Sequence, residues 1–200
     1  MTKIKLCGLS RSEDIAIANE LAPDYVGFVF AKKSKRYVDE EKARLLKGQL
    51  NSSILAVGVF VDSPIEEVAR LLNEGVIDIA QLHGSESEEY IFQLRKHTDK
   101  PIIKAFCVRS QDDVARAQNS VADYVLLDSS VGGSGKSFDR ELTKHIDRRY
   151  FLAGGLDPDN VEEEIRKLSP YAVDVSSGIE SDGVKDKIKM TNFVNAVRKV

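Results

Sequence analysis

The sequence predicts an α/β fold: a single closed (β/α)₈ barrel of parallel strands that occupies residues 1–200. Three observations lead there. Short apolar runs rich in Val, Ile, Phe and Tyr alternate with segments of helical spacing, at roughly 25 residues per unit. Such alternation implies parallel strands, since each strand needs a crossover to reach the next. Eight strand candidates can be read, a count that favours a closed barrel over an open doubly wound sheet, and no G-x-G-x-x-G follows the first of them.

The first strand is Ile4–Cys7, followed by a helix over Ser12–Leu21 with apolar residues at helical spacing. Tyr25–Phe30 and Ile54–Val61 are the second and third strands. After the third, Ser63-Pro64-Ile65-Glu66 reads as a cap with proline at the first helical position, leading into Glu67–Leu72. Ile77–Leu82 is the fourth strand, and Ser85–Ile91 is a capped helix start. Ile102–Val108, Tyr124–Asp128 and Tyr150–Ala153 are the fifth to seventh strands. Asp157–Val161 is another capped start, Ala172–Ser176 the eighth strand, and Lys187–Val200 a closing helix. Eight helices are expected beside the eight strands, with no linker, low-complexity tract or domain boundary.

Composition narrows the function. A 200-residue chain with 42% apolar and 30% charged residues has the make-up of a soluble globular domain and can bury a core without disulfide staples. The net charge of -3 argues against nucleic acid as a partner, although Lys32-Lys33-Ser34-Lys35-Arg36 is a local basic run. No apolar stretch is long enough to span a bilayer, and no signal-peptide core is visible. Two cysteines far apart in sequence suggest a reducing, cytoplasmic setting.

The chemistry gathers where strands end. In a barrel, every strand's C-terminal end points to the same rim. Cys7-Gly8 follows the first strand, and Asp128 ends the sixth. A thiol can take a proton and a carboxyl group can give one, so the pair points to acid–base catalysis. Arg36 lies after the second strand and has the fork geometry to bind a carboxylate. His83-Gly84 ends the fourth strand, where the imidazole is either a substrate contact or a structural support. Gly154-Gly155 and Ser177-Gly178 follow the seventh and eighth strands, where barrels commonly hold a phosphate on backbone amides. Lys5 leaves the same strand face as Cys7, and it either tunes that thiol or pairs with Asp174. Cys107 is read as structural, and His97 and His145 as surface residues. Ser130–Ser137 nearly matches a nucleotide-binding loop but has serine where the first glycine belongs. It is read instead as an active-site loop, whose Gly133 and Ser134 contact or support the substrate. The rim shows no metal-ligand spacing.

Together these segments resemble the phosphoribosylanthranilate isomerases of tryptophan biosynthesis. The matching stretches are Lys5–Leu9, Gly27–Phe30, Ser34–Val38, Val57–Val61, Gln81–Gly84, Leu126–Asp128, Gly132–Lys136 with Phe138-Asp139, Leu152–Leu156 with Asn160-Val161, and Asp174–Glu180. They occur in family order and cover nearly the whole chain. Lys35 and Arg140 depart from the common pattern. The resemblance implies a barrel without metal or cofactor, a phosphorylated small-molecule substrate, and a monomer or homodimer. It implies Cys7 as general base, Asp128 as general acid, Arg36 as ligand of the anthranilate carboxylate, and Gly154, Gly155, Ser177 and Gly178 as the phosphate site. The acid must be protonated and the base ionised at neutral pH, so the site is expected to raise one pKa and lower the other. The analogous isomerase of histidine biosynthesis would have aspartate in place of Cys7. A barrel that only binds phosphate would not need both Cys7 and Asp128.

Overall fold

A computed structural model describes residues 1–128, 142 and 146–200 of the chain. Eight parallel strands form a closed barrel in chain order: β1 (Lys3–Cys7), β2 (Tyr25–Val29), β3 (Leu55–Phe60), β4 (Ile79–Leu82), β5 (Ile102–Cys107), β6 (Tyr124–Asp128), β7 (Tyr150–Ala153) and β8 (Ala172–Val175). Pairing of β8 with β1 closes the ring, in a register that sets Lys5 opposite Asp174. Helices α1 (Ser12–Leu21), α2 (Glu40–Gln49), α3 (Ile65–Asn73), α4 (Glu88–Arg95), α5 (Gln111–Gln118), α6 (Val161–Leu168) and α7 (Lys187–Arg198) complete the described elements. The eighth expected helix, between β6 and β7, would fall mostly outside the described residues, as do Gly133, Ser134 and His145. No described helix is long and apolar enough to cross a membrane.

Local chemistry sets the helix starts. Asp39, Ser87, Ser110 and Asp186 each accept a hydrogen bond from a first-turn amide, which satisfies donors that the helix itself leaves unpaired. Pro64 is one position earlier than expected. Its ψ of 142° keeps it extended, so it precedes α3 while its carbonyl already accepts from Glu67 and Val68.

Alternation along the strands creates two kinds of interior. Ile4, Leu6, Val26 and Phe28 point outward and pack under the helices. Tyr25, Val57, Ile79, Ile103, Leu126 and Phe151 point inward and fill the barrel. Tyr25, Tyr124 and Tyr171 surround Phe151, with ring centroids 5.4–5.8 Å from it. The Tyr25 and Tyr171 hydroxyls meet at 3.1 Å. This aromatic floor lies at the N-terminal ends of the strands and leaves the opposite mouth for the site. At the floor's edge one device recurs. Asp24, Asp78 and Asp123, each just before an even-numbered strand, accept the backbone amides of Ile4, Ala56 and Ile102 on the preceding strand. Each also pairs with a cation: Lys3, Lys47 and Arg95 respectively.

Phe151 is fully buried, so Phe151→Ala should cost about 3–5 kcal/mol in urea unfolding. A loss below about 1 kcal/mol would show that the floor collapses to fill the gap.

Candidate active site

Inward-facing positions two residues apart carry the site from floor to mouth. Lys5 and Asp174 occupy the middle layer, with Lys5 Nζ 2.8 Å from Asp174 Oδ2 and both side chains buried. Gln81 shares this buried level. Above it, Cys7, Val29 and Val59 form a small cluster at the mouth. There a cavity of about 360 Å³ is lined by Cys7, Arg36, Gln81, His83, Asp128, Gly154, Gly155, Asp174, Ser176 and Ser177, among others.

Cys7 is held closely. A Cβ on Gly27 of the neighbouring strand would lie 2.6 Å from Cys7 Sγ, so only glycine leaves room for the sulfur there. Burial pushes the Cys7 thiol up, and the nearby charge of Asp174 adds to this. The charges of Lys5 and Lys185 and a hydrogen bond from Lys5 oppose it without reversing the direction. This corrects the expectation that the site lowers the thiol: the desolvation of a buried anion outweighs the two cations. The alternatives for Lys5 are both realised. It bonds Asp174, and its charge favours the thiolate.

Asp128 is half-buried across the mouth, with Oδ2 3.4 Å from His83 Nε2. His83 Nδ1 lies 2.9 Å from Gln81 Nε2, two residues earlier on the inward face of the same strand. The imidazole is thus held from below and directed at the carboxylate. Cys107, by contrast, is exposed and does not line the cavity, and His97 is exposed as expected.

Arg36 faces a carboxylate of its own chain. Its Nε donates to Glu180 Oε1 at 2.6 Å and its Nη2 to Glu180 Oε2 at 2.7 Å. The two-point carboxylate contact that the sequence suggested is therefore made internally, which fixes the guanidinium and leaves Nη1 for a ligand. Glu180 also accepts from Lys185 Nζ at 2.6 Å. Burial works against the Glu180 charge, but hydrogen bonds from Arg36 and Lys185 outweigh it and bring the carboxyl down to about 2.

The two small-residue turns stand where they were expected. Gly154 and Gly155 have φ of 87° and 62°, a region that side chains rarely adopt. Asn160 Nδ2 donates to the Gly155 carbonyl at 2.8 Å and holds this turn. Ser177–Ile179 forms one 3₁₀ turn after β8, and the first amides of such a turn have no partner within it. Ser177 lines the cavity, but Gly178 has another duty. A Cβ there would lie 2.0 Å from the Leu156 carbonyl oxygen, so glycine lets the two turns touch. A side chain at 178 would separate the turns before it could obstruct a ligand.

Sequence reading missed Glu180, Lys185 and Gln81 as parts of the site. Glu180 lay within a matched stretch, and Gln81 is two residues before His83 on one strand face. Those signals were available. Nothing local marks Lys185, which reaches the site only through a hairpin. Among the described residues, no cluster of three or more His, Cys, Asp or Glu could hold a metal ion.

Residues 4–196 match the family described as N-(5'phosphoribosyl)anthranilate (PRA) isomerase. The chain belongs to the phosphoribosylanthranilate isomerase family. The N-(5'-phosphoribosyl)anthranilate isomerase of Clostridium acetobutylicum is 47% identical, over 100% of this chain and 99% of its own length. The crystal structure of the Thermotoga maritima phosphoribosylanthranilate isomerase superposes with a TM-score of 0.91 at 36% identity, covering 100% of both chains. Another solved member of the family, in complex with reduced 1-(o-carboxyphenylamino)-1-deoxyribulose 5-phosphate, is 34% identical with a TM-score of 0.88, again over 100% of both chains.

The depressed Glu180 carboxyl gives a pH dependence of stability. A carboxyl ordinarily near 4.5 and held near 2 when folded stabilises the protein above about 4.5, and that contribution is lost as pH falls towards 2. In acid-unfolding measurements, the stability gap between wild type and Glu180→Gln should therefore close across this window. A gap that is constant with pH would assign Glu180 no such linkage.

Proposed function

We propose that this protein converts N-(5-phosphoribosyl)anthranilate to 1-(2-carboxyphenylamino)-1-deoxyribulose 5-phosphate, with Cys7 as general base and Asp128 as general acid. The observation that carries this reading is the single cavity into which Cys7 and Asp128 both open, with Arg36 and the 154–155 and 176–177 turns on its walls. The substrate has a carboxylate at one end and a phosphate at the other. Arg36 suits the first, and the backbone amides of the turns suit the second.

The chemistry is an Amadori rearrangement with no net gain or loss of protons or electrons. Asp128 gives a proton to the furanose ring oxygen as the C1′–O bond breaks. The anthranilate nitrogen supplies the electron pair, leaving a protonated Schiff base. Cys7, as thiolate, takes the C2′ proton, and the C–H electrons form an enolamine that tautomerises to the ketone. A thiol raised by burial is a stronger base once ionised, but less of it is ionised at neutral pH. Turnover should therefore rise with pH as Cys7 loses its proton, as long as Asp128 keeps the one it gives. His83 and Gln81 support Asp128, and Lys5 supports Cys7.

Loss of phosphoribosylanthranilate fluorescence on adding the protein, with the substrate generated in situ, tests the activity directly. Cys7→Ala and Asp128→Asn should each lower kcat by on the order of 10²–10⁴-fold or more while the fold is kept. The bell-shaped kcat/KM profile should lose one limb in each variant. Near-normal turnover in Cys7→Ala, or both limbs surviving in both variants, rules out the assignment.

Arg36→Ala should weaken substrate binding by roughly 1.5–3 kcal/mol, the scale of a charge-assisted hydrogen bond. With a substrate analogue that lacks the carboxylate, the penalty should shrink. An equal loss with both ligands would mean that Arg36 acts only through Glu180.

A further inference from the structure

Lys185 is a buried cation that the mechanism above does not use. It closes a small hairpin after β8, in which β9 (Glu180–Ser181) pairs antiparallel with β10 (Val184–Lys185) and Lys185 faces Glu180. Its side chain is 2% exposed. Nζ donates to the Ser176 carbonyl at 2.8 Å and to Glu180 Oε1 at 2.6 Å. Ser176 Oγ in turn donates to the Cys7 carbonyl at 3.2 Å. The Lys185 backbone is tied down as well, since its carbonyl accepts from Arg11 Nη2 at 3.1 Å. The hairpin thus fixes this ammonium two hydrogen bonds away from the Cys7 backbone.

The charges around Cys7 do not balance. Lys5 on β1 faces Asp174 on β8, one cation for one carboxylate. Arg36 and Lys185 share the single carboxylate of Glu180. Among the described residues of this largely buried cluster, three cations therefore stand against two carboxylates, with one positive charge in excess. An excess buried charge is costly unless an anion neighbours it. The Cys7 thiolate is an anion that can form within the cluster. Lys5, Asp174, Lys185 and Arg36 all interact electrostatically with Cys7.

We propose that Lys185 is a positioning residue for Cys7: held by Glu180 and Ser176, it supplies the excess positive charge that stabilises the thiolate. This rests on Cys7 being the general base, but it is tested without turnover. The rate of iodoacetamide alkylation at Cys7 is followed against pH by mass spectrometry of the Cys7 peptide, which separates it from Cys107. Lys185→Gln keeps a hydrogen-bond donor but removes the charge. It should move the alkylation midpoint up by about one pH unit, the order expected of one nearby charge in partly desolvated surroundings, while Lys185→Arg stays close to wild type. An unchanged midpoint in a folded Lys185→Gln overturns the proposal. So does a rise in KM alone with the midpoint unmoved, which would assign the excess charge to the substrate's carboxylate. If the Lys185 variants do not fold, reciprocity gives a second measurement. Cys7→Ser removes the thiolate, so Lys185, followed through its ¹³Cε shift, should lose its proton at lower pH than in wild type. Identical Lys185 titrations would overturn the proposal. Should Cys7→Ala keep its activity while the midpoint still shifts in Lys185→Gln, the base assignment fails and the electrostatic coupling stands.

Discussion

Pairing of β8 with β1 is the constraint on which the site depends. It closes the barrel, and its register sets Lys5 against Asp174. The inward positions above these two are Cys7 and Ser176, so the same register brings the thiol beside the turn that opens the 177–179 segment. A slip of one residue would reverse inside and outside along the whole strand, sending Cys7 under the helices and Leu6 into the mouth. The buried ion pair guards against that slip, because a lysine or aspartate left unpaired among apolar neighbours would be strongly disfavoured.

The two ends of the barrel are built from different materials. The floor is aromatic and apolar, edged by three aspartates that join a backbone amide of the preceding strand to a surface cation. Among the described residues, the mouth carries charge that is only partly cancelled. Around Cys7 the balance is deliberate in its physics: burial raises the thiol, two lysines oppose that rise, and Glu180 restrains Lys185 and Arg36 together. One carboxylate thereby links Arg36 with a second buried cation, Lys185.

Much of this was legible in the chain. Strand boundaries read from apolar runs differ from the observed ones by at most two residues, because parallel strands buried on both faces are nearly continuous hydrophobic runs. Cys7, Asp128, Arg36, Gly154, Gly155 and Ser177 stand at strand ends or in the loops that follow them, and the structure brings them around one cavity. Gly178 also has a steric role that a one-dimensional pattern does not show: it lets its turn touch the Leu156 carbonyl. The direction of the Cys7 shift was misread because burial depth, which sets desolvation, is a property of the assembled barrel.

The order of residues was enough to set the alternation of strand and helix, and with it the parallel order, the inward and outward faces, and the loops that carry the chemistry. These follow from periodicity and from the handful of residues that punctuate it, all of which act over a few positions. Which charges meet was settled by the closed barrel. Lys5 and Asp174 are separated by 169 residues, and Arg36 and Glu180 by 144. Their pairing, the shared use of Glu180 by Lys185, and the upward shift of Cys7 depend on distance and desolvation, which exist only once the ring has closed.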